Sequence, residues 1–215
     1  MMNTSAFSLK RQGGFTLVEL LVALLMGSVI LTALLSFFRF QTISMRIENA
    51  RRAAQVTVRG ALNFIVRDLE HIGRDPHLSL FTAAAPALQE AEDDSIHYLA
   101  NLSSDWADND DTDTWENVAF QYNSSTQAIE VVQGGTTYPL TDDGENQKSY
   151  VPSGGLSFTY FDKDGNIVAP GGNATARASI RRINVSVAVR GVVPAGHPEP
   201  EVTLSQDVFL RNVSS

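Results

Sequence analysis

Hydrophobic positions follow three different rhythms along this chain. From Leu20 to Phe38, nineteen successive residues carry no charge. A helix rises about 1.5 Å per residue through a hydrocarbon core of about 30 Å, so a run of this length passes the threshold of roughly 18 residues for a membrane span. From Ile43 onward the apolar positions thin to steps of three and four: Ile43, Ile47, Ala50, Ala54, Val58, Ala61, Ile65, Leu69 and Ile72. That spacing is one face of an amphipathic helix. Beyond Pro76 the rhythm shortens to two, as in Ile183, Val185, Val187 and Val189, which predicts half-buried strands.

The first two regimes predict one helix from Phe15 to Ile72. Arg46, Glu48, Arg51, Arg52, Arg59, Arg67, Asp68 and Glu70 fill its polar side. Glu48 precedes Arg52 by four residues, the favourable order for an ion pair on a helix. His71 in the last turn, Gly73 as a cap and Pro76 just beyond mark its end. Gly27 and Gly60 are its weak points, although Gly27 and Ser28 suit close approach of helices in a membrane.

The third regime predicts strands at 95–101, 117–122, 128–133, 155–161, 166–169, 180–190 and 201–211. Turn residues Asn123 to Thr126 and Asp162 to Gly165 predict two hairpins. An antiparallel sheet laid on the helix face buries two surfaces that neither element buries alone, so the expected class is α+β. The expected segments are a basic leader at 1–14, a membrane helix at 15–40, its amphipathic continuation at 41–75 and a β-rich domain at 76–215.

Lys10 and Arg11, then Gly13 and Gly14, lie ahead of the apolar run. A secretory signal peptide places its small-residue cleavage site after the apolar core, so cutting here keeps the helix in the mature chain. Gly14-Phe15-Thr16-Leu17-Val18-Glu19 resembles the cleavage motif of type IV prepilins, shared by type IV pilins and the pseudopilins of type II secretion. The resemblance is firm over residues 10 to 75. It implies that a prepilin peptidase cuts between Gly14 and Phe15, that Phe15 becomes the N-methylated first residue, and that Glu19 pairs with the amine of a neighbouring subunit. A carboxylate within a membrane helix costs on the order of 2.5–3.5 kcal/mol at mid-bilayer, so Glu19 needs a partner of this kind or a place at the interface.

The resemblance further implies the pilin-like fold, an N-terminus in the cytoplasm, a periplasmic domain reached through the bacterial inner membrane, and incorporation into a pilus or pseudopilus. Partners on this reading are the peptidase, other major and minor pilins or pseudopilins, and the inner-membrane assembly platform. The helix ending Asn63-Phe64-Ile65-Val66-Arg67-Asp68-Leu69-Glu70 is similar to that of PilW-like minor pilins and of J-type minor pseudopilins. The first implies a low-abundance subunit that primes pilus assembly near the tip, the second the same role in a secretion pseudopilus.

Composition narrows the chemistry. The formal charge is −8, and loss of Lys10 and Arg11 takes it to −10 on side chains, which disfavours nucleic acid as a partner. There is no cysteine, so no disulfide staples the domain. Asp105, Asp108, Asp110, Asp111, Asp113 and Glu116 crowd into twelve residues, a set of hard oxygen ligands suited to Ca²⁺. The glycine and closing glutamate of an EF-hand loop are missing, and a solvated loop is the simpler reading. Asp162-Lys163-Asp164-Gly165-Asn166 reads as a hairpin turn rather than a calcium loop. His71, His77, His97 and His197 are scattered, and no nucleophile elbow, phosphate loop or acid–base pair stands out, so no enzyme is expected. An adhesive or ligand-binding surface remains a different class, with Tyr98, Trp106, Trp115 and Tyr122 flanking the acidic loop as its candidate aromatics, although aromatics on strands are more often core.

Overall fold

A computed structural model describes residues 14–74, 86–100, 117–141, 148–169, 171 and 173–211. The chain packs as two compact units, Met1–Met45 and Arg46–Ser215.

In the first unit, helix α1 (Leu17–Leu69) begins. Its first turn is closed by Thr16: the Glu19 N–H donates to Thr16 Oγ1 at 3.3 Å and the Leu20 N–H to the Thr16 carbonyl at 3.2 Å. Leu17 through Phe40 are exposed, and the most apolar 18-residue window has a mean hydropathy of 2.5. The helix is therefore long and apolar enough to cross a bilayer. Four of its hydroxyls are satisfied internally. Ser28, Thr32, Ser36 and Thr42 donate to the carbonyls of Leu25, Ser28, Thr32 and Phe38 at 2.8–2.9 Å, which removes the cost of placing them in hydrocarbon.

The second unit holds the rest of α1, two five-stranded antiparallel sheets and a short helix. The first sheet is a meander of β1 (Leu88–Ala91), β2 (Ser95–Leu99), β3 (Asn117–Asn123), β4 (Ala128–Gln133) and β5 (Thr136–Pro139), in that order. The second sheet comprises β6 (Ser149–Tyr150), β7 (Leu156–Phe161), β8 (Ile167–Val168), β9 (Arg182–Gly191) and β10 (Glu201–Phe209). Its order is β10-β9-β7-β8, with β6 also paired to β9. Helix α2 (Ala174–Ser179) is capped by Asn173, whose Oδ1 accepts from the Thr175 and Ala176 N–H groups at 2.9 and 3.3 Å.

The helical face expected from the spacing is the buried one: Ala50, Ala54, Val58, Ala61, Ile65, Leu69 and Ile72. From Ala54 on, these residues share one core with Ile96, Tyr98 and Phe120 of the first sheet and Leu156, Ile183, Val185, Val187 and Val189 of the second. The alternation along β9 is complete, with every inward residue buried from Ile183 to Gly191. At Gly191 a Cβ would overlap the backbone of Ala50, so glycine sets how closely the end of β9 meets the helix.

Both hairpins form where expected, β3–β4 around Asn123 and β7–β8 around Asp162. Three features differ from the sequence reading. The helix ends at Leu69, followed by turns in which His71, Ile72 and Arg74 donate to carbonyls three residues back. Gly73 has the expected positive φ of 68°, but its N–H goes to Leu99 O at 3.3 Å, so the cap is made with β2 rather than with the helix. And the strands divide into two sheets, with β1, β5, β6 and α2 as additional elements.

Candidate functional site at the N-terminal junction

Gly14 and Phe15 lie ahead of α1 in non-helical backbone, and Phe15 is 82% exposed. A Cβ built at Gly14 meets nothing within 4 Å. The peptide bond between them is thus uncrowded and lies two residues before a formed helix.

Glu19 sits in the first turn of α1, exposed. Its position near the N-terminus of the helix favours a negative charge, because the unpaired N–H groups there carry partial positive charge. Thr16 is the residue the sequence reading overlooked. Thr16-Leu17-Val18-Glu19 has the T-x-x-E spacing of a capping box, with the threonine hydroxyl accepting from the backbone N–H three residues on. That spacing was visible in the chain and locates the helix start at Leu17 rather than Phe15. A cut at Gly14 would therefore leave a free amine two residues before the helix and four residues before Glu19.

The remaining predicted site residues are dispersed. Asp105, Asp108, Asp110, Asp111, Asp113 and Glu116, with Trp106 and Trp115, lie outside the described residues. Among the described residues no group of three or more His, Cys, Asp or Glu side chains is placed to hold a metal. Asp162 is committed to its own turn: its Oδ1 accepts from the Asp164 and Asn166 N–H groups at 2.8 Å and its Oδ2 from Asn166 Nδ2 at 3.0 Å. The Asn166 side chain, then its backbone, hold the Asp162 carboxyl below the usual aspartate range.

Of the four candidate aromatics, Tyr98 is core. It is buried, with its hydroxyl donating to Asp68 Oδ2 at 2.5 Å and to the Asp68 carbonyl at 3.2 Å. It cannot serve as a displayed contact residue. Tyr122 is half-buried and donates to the Val151 carbonyl at 3.3 Å. Burial pushes the carboxyl of Asp68 up, against the opposing pull of Tyr98 and His71, and burial likewise pushes the Tyr98 hydroxyl up. These two perturbed groups lie between a helix and a strand rather than in a cleft, and their role is to join the two elements.

Residues 1–35 match the family model described as the prokaryotic N-terminal methylation motif. No curated protein matches the chain. Among solved structures, the chain is similar to a type IV-like pilin from Thermus thermophilus at 10% sequence identity, over 74% of this chain and 98% of that one, with a TM-score of 0.44.

Proposed function

We propose that the chain, whose N-terminus carries the prokaryotic methylation motif, is a type IV pilin-like protein and within that class a minor pilin of the PilW-like kind, processed between Gly14 and Phe15 and active in starting pilus assembly near the filament tip. The observation that carries this reading is the exposed Gly14–Phe15 junction set just before an apolar helical segment, 17–38, in which Glu19 is the one carboxylate. A prepilin peptidase would cut that bond and methylate Phe15. The helix would hold the chain in the inner membrane, with its N-terminus in the cytoplasm and residues 76–215 in the periplasm, until the assembly platform passes it into the filament. Glu19 would then meet the amine of a neighbouring pilin.

Among the described residues the perturbed pair Asp68 and Tyr98 joins α1 to β2, which supports a mechanical rather than an enzymatic role. The second reading is a J-type minor pseudopilin, favoured by the same helix ending at 63–70; the processing chemistry is identical. A third, a displayed adhesin, loses Tyr98 as a contact residue. Binding of Ca²⁺ by Asp105 to Glu116 is a separate proposal, which fails if titration calorimetry gives no heat and calcium does not move the melting temperature.

The deciding experiment has two parts. Mass spectrometry of the protein purified from its own membrane should give residues 15–215 plus one methyl group; an intact leader would refute the processing step. Deletion of the gene should then remove pili and leave secretion normal. Normal pili with lost secretion would transfer the protein to the pseudopilus, and normal pili with normal secretion would refute both assembly roles.

A further inference from the structure

From Asn49 to Arg67 the outward face of α1 is basic and partly apolar. Residues 49–67 include Arg51, Arg52, Arg59 and Arg67 and not one Asp or Glu. At about 100° per residue, Arg52, Val56, Arg59, Gly60, Asn63 and Arg67 share one arc opposite the buried stripe. All six are exposed; Val56 is 73% exposed, and Phe64 beside them 45%. Arg52 has Glu48 at 3.4 Å, whereas among the described residues no carboxylate pairs with Arg59 or Arg67. Gly60 has no reason within its own chain: a Cβ there would meet nothing within 4 Å, and glycine in a helix interior costs about 1 kcal/mol relative to alanine.

Elsewhere the balance reverses. Residues 39–74 carry seven arginines against three carboxylates, and residues 75–215 carry seven cations against twenty carboxylates. The most concentrated described acids are Glu90, Glu92, Asp93 and Asp94, all exposed where β1 turns into β2. The backbone of this turn is fixed. Tyr160 donates to the Glu92 carbonyl at 2.8 Å, the Phe158 N–H to the Asp93 carbonyl at 2.8 Å, and the Glu92 N–H closes onto Ser95 O at 3.0 Å. Its carboxylates are therefore presented outward on a rigid mount, and none is joined to a cation among the described residues.

The geometry points to a contact between two copies of this chain, in which the Arg52–Val56–Arg59–Arg67 face of one takes the Glu90–Asp94 turn of the next. Three cations meet four carboxylates, Val56 and Phe64 lose water, and Gly60 lets the turn approach the helix backbone. The two surfaces are different patches of one subunit, so the contact is head-to-tail rather than two-fold. It needs no particular role in a pilus or pseudopilus, only that two copies meet.

The test uses the full chain in detergent micelles and the absence of native cysteine. A mixture of Val56→Cys and Asp93→Cys proteins should form a disulfide-linked dimer under mild oxidation, and raising salt from about 0.05 to 0.5 M should suppress it, since exposed charges are screened. Added to the Val56→Cys protein, Arg52→Glu/Arg59→Glu should cut the yield about tenfold; added to the Asp93→Cys protein, Glu92→Lys/Asp94→Lys should do the same, and combining both reversed partners should restore it. Unchanged melting temperatures would show that the variants fold. Gly60→Ala should melt higher than the parent, and Gly60→Leu should reduce cross-linking. Cross-linking that ignores salt and both reversals, or reversed partners that do not rescue each other, would overturn the contact. So would loss of binding to phosphatidylglycerol vesicles in Arg52→Glu/Arg59→Glu with no effect of Glu92→Lys/Asp94→Lys on cross-linking, which would assign the face to lipid.

Discussion

The hydroxyl of Tyr98 donates to the carboxylate of Asp68 and so fastens β2 to the last turn of α1. Asp68 is half-buried, and its desolvation outweighs both Tyr98 and His71, so its carboxyl titrates above the ordinary aspartate value of 3.8. A folded-state value above the unfolded one means that the fold prefers this group protonated. The associated stability is complete below the unfolded value and is lost as pH rises through the folded one. Asp68→Asn, which keeps an acceptor for Tyr98 without the charge, should flatten that part of the stability curve and melt no lower than the parent at neutral pH. Tyr98→Phe strands the carboxylate and should cost about 1–3 kcal/mol at neutral pH. Chemical denaturation from pH 3 to pH 8 checks both.

Asp207 bends the same curve the other way. Asn184 Nδ2 and Arg182 Nη1 each donate to it at 2.7 Å, and these contacts, Asn184 first, hold its carboxyl below the ordinary range. Its contribution is present above the unfolded aspartate value and is lost as pH falls through the folded one. Asn184→Ala should therefore weaken the domain at neutral pH and reduce its sensitivity to acid, with the difference from the parent vanishing at the lowest pH. Since the pair lies at the surface between β9 and β10, salt should shrink the effect.

Two glycines of the second unit should respond to alanine with opposite signs. Gly191 faces the Ala50 backbone, and an added methyl has nowhere to go without parting β9 from α1. Overpacking of this kind costs about 1–3 kcal/mol. Gly60 looks into open space from a helix interior, where alanine gains up to about 1 kcal/mol from helix propensity. Thermal melting of Gly191→Ala and Gly60→Ala should give a clear fall and a modest rise.

What could be read from the chain depended on whether the signal was local. The buried stripe Ala50 to Ile72 and the alternation Ile183 to Val189 each repeat within one element, and the structure buries them as the spacing requires. Asn123 and Asp162 fix their hairpins through bonds to residues two to four positions on, so turn chemistry located both. Division into two sheets has no such local signature. It depends on which face each strand presents after the loops, and β1, β5 and β6 are strands of two to four residues, too short to show a period. The Tyr98–Asp68 bond joins positions thirty apart, so the partner of that core tyrosine was not legible in the pattern of β2. At the junction the cleavage motif was legible because its residues are consecutive, yet the role of Thr16 was hidden beneath the motif that contains it.

Thr16 and Glu19 separate two tasks that the same turn performs. Thr16 Oγ1 accepts the Glu19 N–H, a capping bond worth about 0.5–2 kcal/mol in soluble helices. Glu19 supplies in addition a charge, which on the proposed reading meets the amine of a neighbouring subunit. Thr16→Ser should preserve the cap and support normal processing and incorporation, while Thr16→Val should fray the first turn and lower incorporation moderately. Glu19→Ala should still be cut after Gly14, because the scissile bond lies outside the helix, but should enter filaments poorly. Glu19→Gln is the decisive variant: it keeps the side-chain length and an acceptor for a capping role, and loses only the charge. Incorporation measured by immunoblot of sheared filaments should fall for Glu19→Gln as far as for Glu19→Ala. Near-normal incorporation of Glu19→Gln would mean that Glu19 serves the helix start, and that its charge has no partner in the filament.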